Sequence, residues 1–282
     1  MKTRIITGVV GIAVLFCFLC FYNTFAANIV IAALAVIAIW EAHHASGMTK
    51  EHLPVTIICC IYGAAIILVP QSIRAAVVTA GLYGMILFVF AYTLLHHRTF
   101  TIREAAYEIL LGAAIPAVFS SLMTLRDRLG VEQGILYLFF ILGSAWWSDT
   151  GAYFAGTFWG KKKLCPEISP KKTVEGLIGG LVTAVFGNII ICLLISLLSK
   201  QGFWYMVRPL QINFVLVAAY SLILALIGVL GDLSFSIIKR CYGIKDYGNI
   251  LPGHGGVLDR FDSVLFIAPA VYFIALYAPI VH

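Results

Sequence analysis

Between Arg4 and Glu41 the chain runs for 36 residues without a charged side chain. One membrane-spanning helix needs about 20 mostly apolar residues, with a range of about 17–25. The run is therefore too long for one helix and fits two, folded back at Tyr22-Asn23-Thr24. Seven more apolar runs follow, at 53–70, 75–95, 105–125, 133–156, 176–198, 211–231 and 263–281. They are too long and too evenly apolar for the alternating strands of an outer-membrane barrel. The expected fold is all-α: a polytopic integral membrane protein of about nine transmembrane helices. Composition agrees. Apolar residues make up 61% of the chain and charged residues 11%, against about 25% charged in a soluble domain. A soluble globular protein and a disordered chain are both excluded. Lys2 and Arg4 before an apolar run also fit a signal peptide, cleaved near Thr24-Phe25-Ala26. The second apolar run, which follows at once, favours a retained hairpin.

The basic residues set the expected orientation. With the N-terminus in the cytoplasm, 14 of the 19 fall inside: Lys2, Arg4, Lys50, Arg98, Arg103, Lys161, Lys162, Lys163, Lys171, Lys172, Lys239, Arg240, Lys245 and Arg260. Arg74, Arg126, Arg128, Lys200 and Arg208 fall outside, the last within the 204–209 stretch. The net charge is +6, yet these residues lie scattered between apolar runs and form no stripe, so a nucleic-acid partner is not expected. The seven cysteines are odd in number and lie mostly in apolar runs, as buried thiols do. No internal repeat or linker is visible. The expected organisation is an N-terminal set of helices over 1–130 and a C-terminal catalytic region over 131–282, with cytoplasmic loops at 157–175 and 239–262.

Acids are scarce, at six Asp and seven Glu. Five of the six Asp lie in two segments. The first, 148–176, opens with Asp149 and continues through Gly151, Gly156 and Gly160 to three lysines and Ser169-Pro170-Lys171-Lys172-Thr173. Glycines permit close backbone approach to a ligand, and lysines and hydroxyls bind phosphate. The same glycines equally suit helix–helix contacts, and the same lysines equally suit anionic headgroups. The second segment, 231–262, holds Asp232, Asp246, Asp259 and Asp262, with Lys239, Arg240, Lys245, Arg260 and His254. Ionisable groups that abut membrane spans are costly and usually functional. Asp259 and Asp262 are three apart and share one face of a helix; Asp232 ends the preceding span and can meet them across the loop. Carboxylate oxygens suit Mg²⁺, which takes one or two of them plus substrate phosphates. The four basic side chains suit a polyphosphate. These parts describe Mg²⁺-dependent phosphoryl or nucleotidyl transfer at the cytoplasmic membrane face. No Walker A sequence is present, so a P-loop enzyme is excluded. His254 has no second His at metal spacing and is read as a phosphate or base contact.

The second segment carries Ser236, Lys239-Arg240, Lys245-Asp246, Gly248, Leu251-Pro252, His254-Gly255-Gly256 and Asp259-Arg260-Phe261-Asp262. That pattern resembles, at every fixed position, the signature of the phosphatidate cytidylyltransferases (CDP-diacylglycerol synthases). Asp149-Thr150, Ala152-Tyr153 and Gly156, then Ile168-Ser169-Pro170-Lys171-Lys172-Thr173 and Glu175-Gly176, resemble a second stretch of that family, and Trp40-Glu41 a feature of its bacterial members. The resemblance implies that CTP and phosphatidate react to give CDP-diacylglycerol and pyrophosphate, in a bacterial cytoplasmic membrane. It implies Mg²⁺ on Asp232 and Asp259, with Asp262 and Asp149 as further candidates, and K⁺ beside it. Lys239, Arg240, Lys245, Asp246, His254 and Arg260 become catalytic candidates. Ser169, Lys171, Lys172 and Thr173 become substrate contacts. A homodimer, and membrane lipids as neighbours, are implied as well.

Two other readings are open. A CTP-dependent polyprenol or phytol kinase is also polytopic with charged cytoplasmic loops. A secondary transporter would use the Asp residues as a cation pathway, but such sites sit near the bilayer midplane, often in paired repeats.

Overall fold

A backbone surrounded by lipid must satisfy every N–H and C=O within its own segment, and the helix does so. The computed structural model describes residues 2–202 and 209–281, with side chains from Thr7 onward. The side chains of Lys2 and Arg4, and Arg208 with most of the 204–209 stretch, lie outside the described residues. In order, the elements are α1 (Lys2–Cys20), α2 (Phe25–Ala45), α3 (Met48–Glu51), α4 (Leu53–Leu68), α5 (Gln71–Leu95), α6 (Ile102–Leu129) and α7 (Val131–Trp159). Then come β1 (Lys163–Cys165), β2 (Ser169–Thr173), α8 (Val174–Lys200), α9 (Phe214–Cys241), α10 (Leu258–Phe261) and α11 (Val264–Tyr277). Among the described residues, α2, α5, α6, α8 and α9 are long and apolar enough to cross a membrane; α1 from Thr7, α4 and α11 are shorter apolar helices. The chain is a polytopic, essentially all-α membrane protein. The turn between α1 and α2 falls at Tyr22, Asn23 and Thr24, where the sequence places it.

Some details depart from the sequence reading. The segment after α7 is not a plain loop. It forms an antiparallel hairpin, with Lys163 opposite Thr173 and Cys165 opposite Ser169. Pro170 has no N–H to donate, which a two-stranded ribbon tolerates because each strand has an unpaired edge. The run at 211–231 also does not end at its last apolar residue. The helix α9 continues to Cys241, with Lys239 and Arg240 in its last turn, where positive charge suits the carbonyl end of the dipole.

The chain forms two compact units, Met1–Thr124 with Tyr242–Arg260, and Leu125–Cys241 with Phe261–His282. In the first, α2 packs on α4 and α4 on α5. Small residues bring the helices close: a Cβ at Gly63 would stand 2.7 Å from Ile39 Cδ1 and 3.1 Å from Pro116 Cβ. Asn28 Nδ2 donates to the Ile67 carbonyl at 2.9 Å. Arg74 is buried in the first turn of α5 and is not a loop residue. It donates to Thr124 Oγ1 at 3.0 Å and to Gln71 Oε1 at 2.8 Å.

The second unit is built on the long contact of α7 with α8, joined by α9 and α11. Glycines line that contact. A Cβ at Gly180 would lie 2.7 Å from the Ser148 carbonyl oxygen, and one at Gly176 would lie 2.9 Å from that of Ala152. A Cβ at Gly156 would stand 3.0 Å from Thr173 Oγ1. A Cβ at Gly151 would lie 2.7 Å from the Gly179 carbonyl oxygen, so Gly151 and Gly156 serve the packing of α7 on the start of α8, the second of their two possible readings, while Gly160 just past α7 abuts Thr173. Polar groups join the same helices. Asn188 Nδ2 donates to Ser144 Oγ at 2.9 Å and Ser221 Oγ at 3.0 Å, linking α7, α8 and α9. Gly180→Leu should force α7 and α8 apart, with a loss of about 2 kcal/mol or more; thermal unfolding in detergent checks it. Asn188→Leu should cost less, since interhelical hydrogen bonds in membranes average about 0.6 kcal/mol.

Candidate functional site

The second unit gathers three of the scarce acids. Asp232 lies on α9, one turn before Ser236 and two before Lys239, so all three share one face. Ser236 Oγ donates to Asp232 Oδ1 at 3.3 Å. Asp262 precedes α11, and Asp149 lies on α7. Asp262 and Lys239 are buried, at 9% and 8% exposure. Burial pushes the Asp262 carboxyl up to about 7, and the nearby Asp232 carboxylate pushes the same way. Lys239 and the N–H of Ser263, which donates to Asp262 Oδ1 at 2.7 Å, oppose the rise; Asp149 adds to it. From β2, Lys172 pairs with Asp232. Three carboxylates thus face two lysines, and one carboxyl stands where its charged form is disfavoured. That is the electrostatic deficit a divalent cation relieves, and the donors are the hard oxygens that Mg²⁺ takes.

The hairpin is held to the start of α8. Thr173 is its N-cap and accepts from Gly176 N–H at 3.1 Å, while Glu175 accepts from the N–H groups of Lys161 and Lys162 at 3.0 and 3.2 Å. Thr173 is buried in that cap, which positions Lys172. Ser169 is part-buried on the strand and Lys171 is exposed.

In the first unit the segment 242–260 is organised by carboxylates. Gly253 and Gly255 take φ of 77° and 83°, a left-handed conformation that other residues avoid. They close a tight loop in which Leu251 N–H donates to the Gly255 carbonyl at 2.9 Å. Asp259 Oδ2 accepts from Tyr247 N–H at 2.8 Å and Gly256 N–H at 3.0 Å. Arg260 Nε donates to the His254 carbonyl at 2.9 Å, and His254 Nδ1 is buried with no hydrogen-bond partner. Lys245 and Asp246 are exposed. The organising group is Glu41 at the end of α2. It is 3% exposed and accepts from Val257 N–H at 3.0 Å and Leu258 N–H at 2.8 Å. Gly248 and Gly256 leave the space its carboxylate fills: a Cβ on Gly256 would meet Glu41 Oε2 at 2.5 Å. A cleft of about 450 Å³ opens beside it, lined by Trp40, Glu41, His44, Asp246, Tyr247 and Asn249. Sequence reasoning noted Glu41 only within the Trp40-Glu41 resemblance. Its one earlier signal was an acid that closes the long charge-free run.

The fold is that of a polytopic membrane protein in which each of the two units gathers its own cluster of charged side chains. Comparison with known proteins makes that specific. Residues 2–278 match the model of the cytidylyltransferase family. The chain is 36% identical over 280 residues, 97% of each sequence, to a phosphatidate cytidylyltransferase of Bacillus subtilis (strain 168). It is 34% identical over 272 residues to that of Staphylococcus aureus (strain COL), covering 95% of this chain and 96% of the relative. The protein belongs to the cytidylyltransferase family.

Glu41→Ala should lower cytidylyl transfer by at least about tenfold, since one charge-assisted hydrogen bond is worth about 1.5 kcal/mol or more. Glu41→Gln should fall between, and limited proteolysis should nick the 246–257 loop faster in the alanine variant. Asp262 tests the electrostatics. A carboxyl raised on folding costs nothing while protonated both folded and unfolded. Its cost grows above its ordinary value of 3.8 and is complete above about 7. Asp262→Asn should therefore raise the melting temperature of metal-free protein at about pH 8, by about 2–4 °C per kcal/mol recovered, and change it little near pH 4.

Proposed function

We propose that this chain transfers the cytidylyl group of CTP to phosphatidate, giving CDP-diacylglycerol and pyrophosphate, at the cytoplasmic face of a bacterial inner membrane. The observation that carries the reading is the convergence of Asp149, Asp232 and Asp262 with Lys172 and Lys239 in a polytopic member of the cytidylyltransferase family. The kinship with proteins named for acting on phosphatidate supports the lipid substrate.

In this reaction a phosphate oxygen of phosphatidate attacks the α-phosphorus of CTP, and the bond to the β-phosphate oxygen breaks to release pyrophosphate. A phosphomonoester's second pKa is about 6, so the attacking group is already anionic near neutrality and needs no strong base. Positioning and neutralisation of charge carry the rate. Lys239 and Arg240 on α9, and Lys245 and Arg260 in the 242–260 segment, serve as phosphate-binding cations. Lys172, held by the hairpin and paired with Asp232, is a substrate contact that also sets that carboxylate. Lys171 and Ser169 are milder contacts, and His254 and Asp246 are polar contacts for the nucleotide. Asp232, Asp262 and Asp149 would hold Mg²⁺, which when bound supplies positive charge for the triphosphate. Asp259 joins them on the signature alone, as does K⁺ beside the Mg²⁺. A homodimeric assembly is part of the same reading.

Purified protein given α-labelled CTP and phosphatidate should place the label in lipid. Label entering lipid only from the γ-phosphate would overturn the proposal and favour a lipid kinase. Asp232→Ala should leave less than about a tenth of wild-type turnover, a loss above about 1.4 kcal/mol of transition-state stabilisation. Lys171→Ala should weaken substrate use more mildly, read as a rise in KM at near-constant kcat.

A further inference from the structure

A second cluster, which the transfer reaction does not use, lies inside the first unit. His43 near the end of α2, Cys59 on α4 and Glu108 on α6 are each 0% exposed. A ring nitrogen, the thiol sulfur and a carboxylate oxygen lie within 4.8 Å of one another. His43 Nδ1 stands 2.6 Å from Glu108 Oε2 and 3.3 Å from the Thr56 hydroxyl. Gly112 makes room for the sulfur, since a Cβ there would lie 2.6 Å from Cys59 Sγ.

Without a further group this cluster is poorly satisfied. Glu108 Oε1 and His43 Nε2 are buried with no hydrogen-bond partner, and Glu108 Oε2 meets the imidazole without hydrogen-bond alignment. A carboxylate in such surroundings carries a desolvation cost of several kcal/mol, and ionisable groups inside a helical membrane bundle are usually there for function. A nitrogen, a sulfur and an oxygen donor together select a borderline-soft ion; Mg²⁺ and Ca²⁺ prefer oxygen alone.

We propose that His43, Cys59 and Glu108 bind a zinc ion that ties α2, α4 and α6 together. Binding releases the Cys59 thiol proton to solvent, because the thiolate is the ligand. The ion sits two residues from Glu41 along α2 and so fixes the helix end that holds the 246–257 loop.

The full-length protein, purified in detergent, stripped with a chelator, re-supplied with zinc and desalted, tests this by metal analysis. Wild type should retain about one zinc per chain more than Cys59→Ser or Glu108→Gln, a difference that discounts zinc held at the acidic cluster of the second unit. Cobalt in place of zinc should give a thiolate-to-metal charge-transfer band that Cys59→Ser lacks. Equal zinc in wild type and both variants, or the same cobalt spectrum in wild type and Cys59→Ser, would overturn the proposal. Serine keeps nearly the size of the thiol, so that variant decides the question even if Glu108→Gln does not fold.

Discussion

A carboxylate taken out of water must find N–H donors, a cation or a proton, and in a chain that lives mostly in lipid these are few. Four acids of these two clusters show which they found. Glu41 found two backbone N–H groups, those of Val257 and Leu258. Asp259 found those of Tyr247 and Gly256. Asp232 found Lys172 and the Ser236 hydroxyl. Asp262 found one backbone N–H and the charge of Lys239, but burial and the neighbouring carboxylates outweigh them, so its charge is held at a cost. The acids satisfied by backbone shape loops. The acid left with an excess of negative charge is the one on which the proposed cation site rests.

That arrangement needs a scaffold that does not yield. Lipid offers helices no hydrophobic reason to associate with one another, so close backbone packing and shared hydrogen bonds must do it. The glycines of α7 and α8 and the Asn188 network supply both within the second unit. The N-cap at Thr173 and the Glu175 contacts then set the hairpin that delivers Lys172. Thr173 and Glu175 thereby position the lysine that pairs with Asp232.

Much of the fold was legible because a lipid-spanning helix has a length and an apolar composition that cannot be disguised. The turn at Tyr22, Asn23 and Thr24 was readable for that reason. The end of α9 was not, because a helix leaving the membrane acquires charges and looks like a loop; Asp232 and Lys239 are helical neighbours all the same. The glycines at 151 and 156 were ambiguous, since a small residue serves a ligand and a neighbouring helix equally well, and only the nearness of Gly179 to the first and of Thr173 and Gly176 to the second decides it. The five clustered Asp were visible as a composition anomaly. Glu41 was not assignable to the loop it organises, because its partners lie 216 and 217 positions away. His43, Cys59 and Glu108 share no spacing that marks a metal site; three separate helices bring them together.

The central claim is that Asp232, Asp262 and Asp149 form the seat of a divalent cation serving nucleotide transfer. Manganese in place of magnesium, followed by electron paramagnetic resonance on the purified protein with CTP, measures it directly. The account predicts that the protein-bound manganese signal of wild type disappears when Asp232 and Asp262 are both replaced by alanine in a protein that still melts cooperatively. An undiminished bound-manganese signal in that double variant would contradict it.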